Sequence, residues 1–163
     1  MKPMFRTGGL AALAAAMMTL GGCVIADVEG IEATSTPEIE HFTGVAKVGM
    51  DLPFSKAVRV DDTIYLSGEL GIDPATNELV PGGAGPETTQ IFENIERTLA
   101  EFDADLSDVV KCQVFLGDMA DFGEMNAAYS AALPSPKPAR STFGANGLAI
   151  GAALEIECMA IRQ

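Results

Sequence analysis

The chain has 163 residues, with 23 acidic against 10 basic side chains and a formal net charge of −13. So acidic a surface repels nucleic acid and anionic membranes, because phosphate binding needs clustered Lys and Arg and the sequence has no such cluster. His41 is the only histidine, which excludes a histidine-based metal site, and GxGxxG, GxxxxGK[ST] and HExxH are all absent, so no cofactor is expected.

The first element is a leader. Lys2 and Arg6 give a positive start, and Leu10 to Leu20 form an uncharged Ala/Leu/Met run. That run is far shorter than the ~20 apolar residues of a spanning helix and fits a signal-peptide core. Leu20-Gly21-Gly22-Cys23 closes it and resembles a bacterial lipobox, in which the thiol is acylated and the chain is cut before the cysteine. The competing reading is an ordinary secretory signal with a coincidental cysteine. A lipid anchor at Cys23 would be close to permanent, since each buried methylene contributes about 0.8 kcal/mol. The expected address is the bacterial envelope, facing the periplasm, with Val24 favouring the outer over the inner membrane. Removing residues 1–22 takes two basic residues and no acid, so the remainder is more acidic still.

Residues 23–41 lack sustained periodicity and read as a tether, leaving 42–163 as one folded domain. Ala57 to Val60 and Thr63 to Gly68 flank Asp61-Asp62 as a β-hairpin. Asp73 to Glu78 is a turn, with Asn77 suited to a left-handed conformation. Gly82-Gly83-Ala84-Gly85 reads as a connector. Pro86 then opens a helix to about Phe102, with Ile91, Ile95, Leu99 and Phe102 inward and Glu87, Glu93, Glu96 and Glu101 facing water. Glu87 also suits the positive end of the helix dipole.

Val109 to Leu116 reads as a strand with Val110, Cys112, Val114 and Leu116 on one face. Asp118 to Ala132 is a second helix burying Phe122, Met125, Tyr129 and Ala132, ended by Pro134, Pro136 and Pro138. A strand pair follows, Ser141 to Leu148 and Ala152 to Ile161. Cys112 and Cys158 are expected as buried free thiols, with a disulfide allowed in an oxidising compartment. The order ββαβαββ predicts an α+β fold with two helices on one face of a mixed sheet. In the last strand Glu155, Glu157, Met159 and Ile161 alternate with Leu154, Ile156, Cys158 and Ala160. The first set is too apolar for open water and too charged for a sealed core, so it predicts an intersubunit cleft and a homo-oligomer.

Arg140 and Glu155 carry the chemistry. A guanidinium fork binds a planar carboxylate through two parallel hydrogen bonds. A nearby carboxylate can hold a water by accepting its proton. Together they describe a pocket for a small acid attacked by water; the competing reading is a structural salt bridge.

Three segments bear on that choice. PARSTFGANGLAIGAALEIECMAI resembles the C-terminal signature of the Rid family, the RidA-like enamine/imine deaminases also called YjgF or L-PSP endoribonuclease-like. LPFSKAVRVDDTIYLSGELGIDPATNELV resembles the family's N-terminal hairpin, and VVKCQVFLGDMADFGEMNAAYSAAL its middle strand and helix. The resemblance spans about residues 42–163. It implies a chorismate-mutase-like fold assembled as a homotrimer with clefts between subunits. It also implies cofactor-free hydrolysis of 2-aminoacrylate and related 2-imino acids to 2-oxo acids and ammonia.

Carried over, Arg140 would grip the substrate carboxylate, while Glu155 and the backbone carbonyl of Thr142 would place the water. Ser67 and Gly68 would shape the pocket, and Asn126 would line or brace it. Phe54 stands where RidA has a tyrosine, keeping an aromatic wall without the hydroxyl. Thr142 replaces a cysteine, and the segment between Asn126 and Arg140 is shorter. The alternative reading is a non-catalytic module that binds a small carboxylate or a protein. A ribonuclease is disfavoured by the negative charge and the lack of a histidine pair.

Overall fold

The computed structural model describes residues 36–44 and 53–163. The expected signal peptide, Cys23 and the tether up to Ser35 lie outside the described residues.

Alternating burial along the strands builds one seven-stranded mixed sheet. Its strands run β1 (Ile39–Phe42), β2 (Ala57–Val60), β3 (Thr63–Leu66), β4 (Glu69–Leu70), β7 (Val109–Leu116), β8 (Ala139–Gly144) and β9 (Leu154–Ile161). The order is β1-β2-β3-β9-β7-β8, with β4 continuing the β3 side along β9. All neighbours are antiparallel except β7 and β8. A separate small hairpin joins β5 (Ile72–Asp73) to β6 (Glu78–Leu79) through the turn read from sequence, with Asn77 left-handed at φ 66°.

Two helices, α1 (Ala84–Ala100) and α2 (Phe122–Ala132), cover one sheet face. Ile91, Ile95 and Leu99 of α1 are fully buried with Ile64, Val114, Leu154 and Ile156 of the sheet. The α+β expectation with two helices on one face therefore holds, and the last strand alternates as the sequence indicated.

Several local expectations are corrected. Ile39, Glu40 and His41, read as tether, belong to β1 and pair with β2, because Arg59 draws Glu38 and Glu40 onto the edge at 3.3 and 3.0 Å. Helix α1 begins at Ala84, two residues before Pro86, since Gly82 and Gly83 supply positive φ values of 113° and 80° at its start. Glu87 does not face water. It is buried and accepts the Ala153 backbone N–H at 2.9 Å, fastening α1 to the start of β9. Burial pushes its carboxyl pKa up, against the hydrogen bonds from Ala153 and Leu154.

Val110 points outward, because a register shift between Val109 and Lys111 puts Val109 in the core instead. Phe122 is 38% exposed rather than buried. The last two strands do not pair with each other: β8 runs parallel to β7 at the sheet edge, and β9 lies on the other side of β7.

Cys112 and Cys158 are buried as expected but are not free. They are direct partners across β7 and β9, with Cα atoms 4.1 Å apart, and form a disulfide. Their 46-residue separation hid a pairing that only the sheet register creates.

Candidate active site

The residues singled out in the sequence gather into two clusters, built on different elements. The first lies where β8 meets α2. Pro134, Pro136 and Pro138 follow the helix end, and the chain then enters β8 beside β7. Arg140 sits opposite Cys112 in that register, so its side chain shares the helix-covered face. There α2 presents Phe122, Met125, Asn126 and Tyr129, spaced i, i+3, i+4, i+7 and therefore aligned on one stripe.

Every residue of that stripe touches Arg140. Its Nη2 donates to Asn126 Oδ1 at 2.9 Å, and Nη1 lies 4.0 Å from Met125 Sδ. The guanidinium carbon is 4.6 Å from the Tyr129 ring centroid and 5.6 Å from that of Phe122. Tyr129 is itself buttressed edge-on by Phe92 at 5.2 Å. Its hydroxyl is buried without a hydrogen-bond partner among the described residues, and burial raises its pKa while the Arg140 charge lowers it. Thr142 lies two residues further on the same face, half-buried, with its Oγ1 also unpartnered among the described residues.

The second cluster forms at the bend between β3 and β4. Ser67 Oγ donates to the Ser55 carbonyl at 2.8 Å and its N–H to the Lys56 carbonyl at 3.0 Å, which fixes the segment following Phe54 against the bend. Phe54 is exposed. A Cβ placed on Gly68 would fall 1.8 Å from Glu155 Oε1, so the carboxylate lies directly over this glycine. Glu155 pairs across β9 with Leu70 on one side and Phe115 on the other, and Phe115 stacks with Phe143 at 6.2 Å. Glu157 accepts from Gln113 Nε2 at 2.6 Å. Burial raises the pKa of Glu155, and the Glu157 charge raises it further.

The two clusters face opposite ways. On β7, Cys112 and Val114 are buried under the helices, and Arg140 and Thr142 are their register partners. Phe115 has the opposite parity, and so does its partner Glu155. One chain thus brings Arg140 together with Asn126, and Glu155 together with Gly68 and the bend at Ser67, but it does not bring Arg140 to Glu155.

Sequence reasoning missed the aromatic surroundings of Arg140. Phe122, Met125 and Tyr129 show the spacing of any core-facing helix stripe, and nothing in that spacing marks a guanidinium as what they meet. Phe115 and Phe143 were missed as flanks of Glu155, because their closeness depends on the parallel pairing of β7 with β8.

A family model described as Endoribonuclease L-PSP matches residues 46–162. The chain is 43% identical over 110 residues to a Bos taurus protein named 2-iminobutanoate/2-iminopropanoate deaminase, covering 68% of this chain and 80% of that one. Among solved structures, RidA from the Antarctic bacterium Psychrobacter is 38% identical with a TM-score of 0.66, covering 76% of this chain and 97% of that one. Yeast Mmf1 is 30% identical with a TM-score of 0.70, covering 77% and 100%. Fold, segment order and identity over two thirds of the sequence agree: this chain belongs to the Endoribonuclease L-PSP family, the Rid (YjgF-like) proteins.

Proposed function

We propose that this chain is an imine deaminase, hydrolysing reactive 2-imino acids of the 2-aminoacrylate type to 2-oxo acids and ammonia. The observation that carries the reading is Arg140, held by Asn126 and Met125 with most of its five N–H donors uncommitted among the described residues, at the edge of the sheet. It suits a planar carboxylate. Relatives about 40% identical carry the name 2-iminobutanoate/2-iminopropanoate deaminase, which supports the same chemistry.

The reaction needs little beyond placement. A protonated imine carbon is already electrophilic, so orientation of substrate and water does most of the work. Arg140 holds the carboxylate. Glu155, with its raised pKa, accepts a proton from the water as its oxygen bonds to the imine carbon, and the Thr142 carbonyl accepts the water's other hydrogen. The resulting carbinolamine takes that proton on nitrogen. The C–N bond then breaks as Glu155 takes the hydroxyl proton, releasing ammonia and leaving the C=O of a 2-oxo acid; Glu155 passes that proton to the departing ammonia, which leaves as ammonium.

Arg140 and Glu155 face opposite sides of the sheet in one chain, so the complete site is assembled between copies. Arg140, Thr142 and Asn126 come from one subunit, and Phe54, Ser67, Gly68 and Glu155 from the next, within a homotrimer of the type usual in the family. The exposed Tyr65, Phe143 and Ile161 on the helix-free face support such an assembly. The deciding assay generates 2-aminoacrylate or another 2-imino acid in situ from a lyase or amino-acid oxidase and follows its loss. Acceleration over buffer is expected, and none, where a Rid deaminase works in parallel, overturns the reading.

For location, the proposal is a lipoprotein anchored through Cys23 at the envelope. The buried Cys112–Cys158 disulfide supports an oxidising compartment independently of the leader. Mass spectrometry of the mature N-terminus, with membrane fractionation of Cys23→Ser, tests it; an unacylated, soluble wild-type chain overturns it.

A further inference from the structure

We infer that Tyr129, with Phe122 as a second wall, is a positioning residue for the proposed reaction, an aromatic seat that sets the plane in which Arg140 receives the substrate carboxylate. The inference rests on the reading of Arg140 as the carboxylate anchor. A guanidinium binds a carboxylate in its own plane, so two things must be fixed for productive binding: the tilt of that plane and the rotation within it. Asn126 fixes the rotation through one N–H at 2.9 Å. Among the described residues no strand side chain bonds the guanidinium to set the tilt. The Tyr129 face sets it, at 4.6 Å from the guanidinium carbon, with the Phe122 ring at 5.6 Å as the second wall.

The seat is rigid for a reason visible in the packing. Tyr129 is 5% exposed and pinned edge-on by Phe92, itself 1% exposed, so the ring cannot rotate away. Its hydroxyl has no hydrogen-bond partner among the described residues. With no protein partner for the oxygen among the described residues, the ring face is what this position offers Arg140. Met125 closes the stripe beneath with its sulfur. The position therefore tolerates loss of the oxygen and not loss of the ring.

The test compares Tyr129→Phe with Tyr129→Leu. Phe keeps the face that attracts the cation, and KM is expected to stay within about twofold of wild type. Leu removes it, and KM is expected to rise about tenfold with kcat little changed, because the carboxylate is held alike in ground and transition states. Circular dichroism and the unfolding midpoint of the Leu variant check that it folds. A readout without substrate accompanies these: the NMR resonance of Arg140 Hε is shifted upfield by the ring current, retained in Phe and lost in Leu. An Hε shift unchanged by Leu, or a Phe variant as impaired as Leu, overturns the seat. Loss of wild-type turnover and of 2-oxo acid binding, with the Hε pattern as expected, would instead count against the functional reading and leave the seat standing.

Discussion

The Glu155 carboxylate occupies the space that a side chain at residue 68 would fill, 1.8 Å from where the Cβ would be. The nearest atom is the far end of a flexible side chain, so Gly68→Ala displaces Glu155 rather than the backbone. A misplacement of that size costs about a hundredfold in catalysis. Expected is a kcat/KM about a hundred times lower, with unfolding free energy changed by less than about 1 kcal/mol. Steady-state kinetics beside denaturant unfolding separate the two; an active Gly68→Ala enzyme would remove Glu155 from the chemistry.

Glu155 also sets a pH dependence. Its pKa is raised above the ordinary 4.5 by burial and by Glu157. In its proposed role as the base it must be ionised, so kcat/KM should fall on acidification with a midpoint above that value. Stability runs the other way. An acid with a raised folded pKa gives stability that is complete below its unfolded pKa and lost as pH rises through the folded one. Glu155→Gln should therefore be more stable than wild type at neutral pH, with the advantage gone once pH falls below the ordinary 4.5, while its activity falls about a hundredfold or more. Thermal melts at both pH values, with kinetics, check the pair of signs.

Arg140 and Glu155 lie on opposite sheet faces, which makes a mixing experiment decisive. Arg140→Ala and Glu155→Gln should each be nearly inactive alone. Denatured together in equal amounts and refolded, they should recover roughly a quarter of wild-type activity, because random cyclic assembly places an intact Arg140 beside an intact Glu155 at that share of interfaces. No recovery means both residues act within one chain. Arg140→Lys should not rescue Arg140→Ala, since an ammonium neither forks onto a carboxylate nor stacks on Tyr129.

The Cys112–Cys158 bond closes a 46-residue loop that contains α2 and β8. Restricting that loop in the unfolded chain is worth about 4 kcal/mol in the chain-entropy model. Reduction, or the paired Cys112→Ala and Cys158→Ala change, should lower the unfolding midpoint by about 10 °C or more. A melt unchanged by dithiothreitol, under denaturing conditions that expose the bond, would contradict it.

Local pattern carried much of this fold into the sequence. Alternation in β9 and helical spacing in α1 were legible because each depends on residues a few positions apart. What failed depended on distant partners. The bulge at Val109 flips Val110 outward, Arg59 recruits the strand that begins at Ile39, and β8 joins β7 rather than β9. The same divide runs through the candidate site. Arg140, Glu155, Gly68 and Asn126 were nominated through the family's linear motifs, whereas the proposed Tyr129 seat and the Cys112–Cys158 bond required knowing which strands and helices touch.

The opposed faces of Arg140 and Glu155 also bear on how much enzyme is present at any moment. In the proposed shared site a lone chain would carry two halves of different reaction centres and no whole one, so newly made or diluted copies would be silent. Specific activity then becomes a gauge of self-association, rising faster than linearly with protein concentration until assembly saturates. Confinement to a surface, where neighbours are held at high local density, would keep the chain above that threshold even when few copies are made.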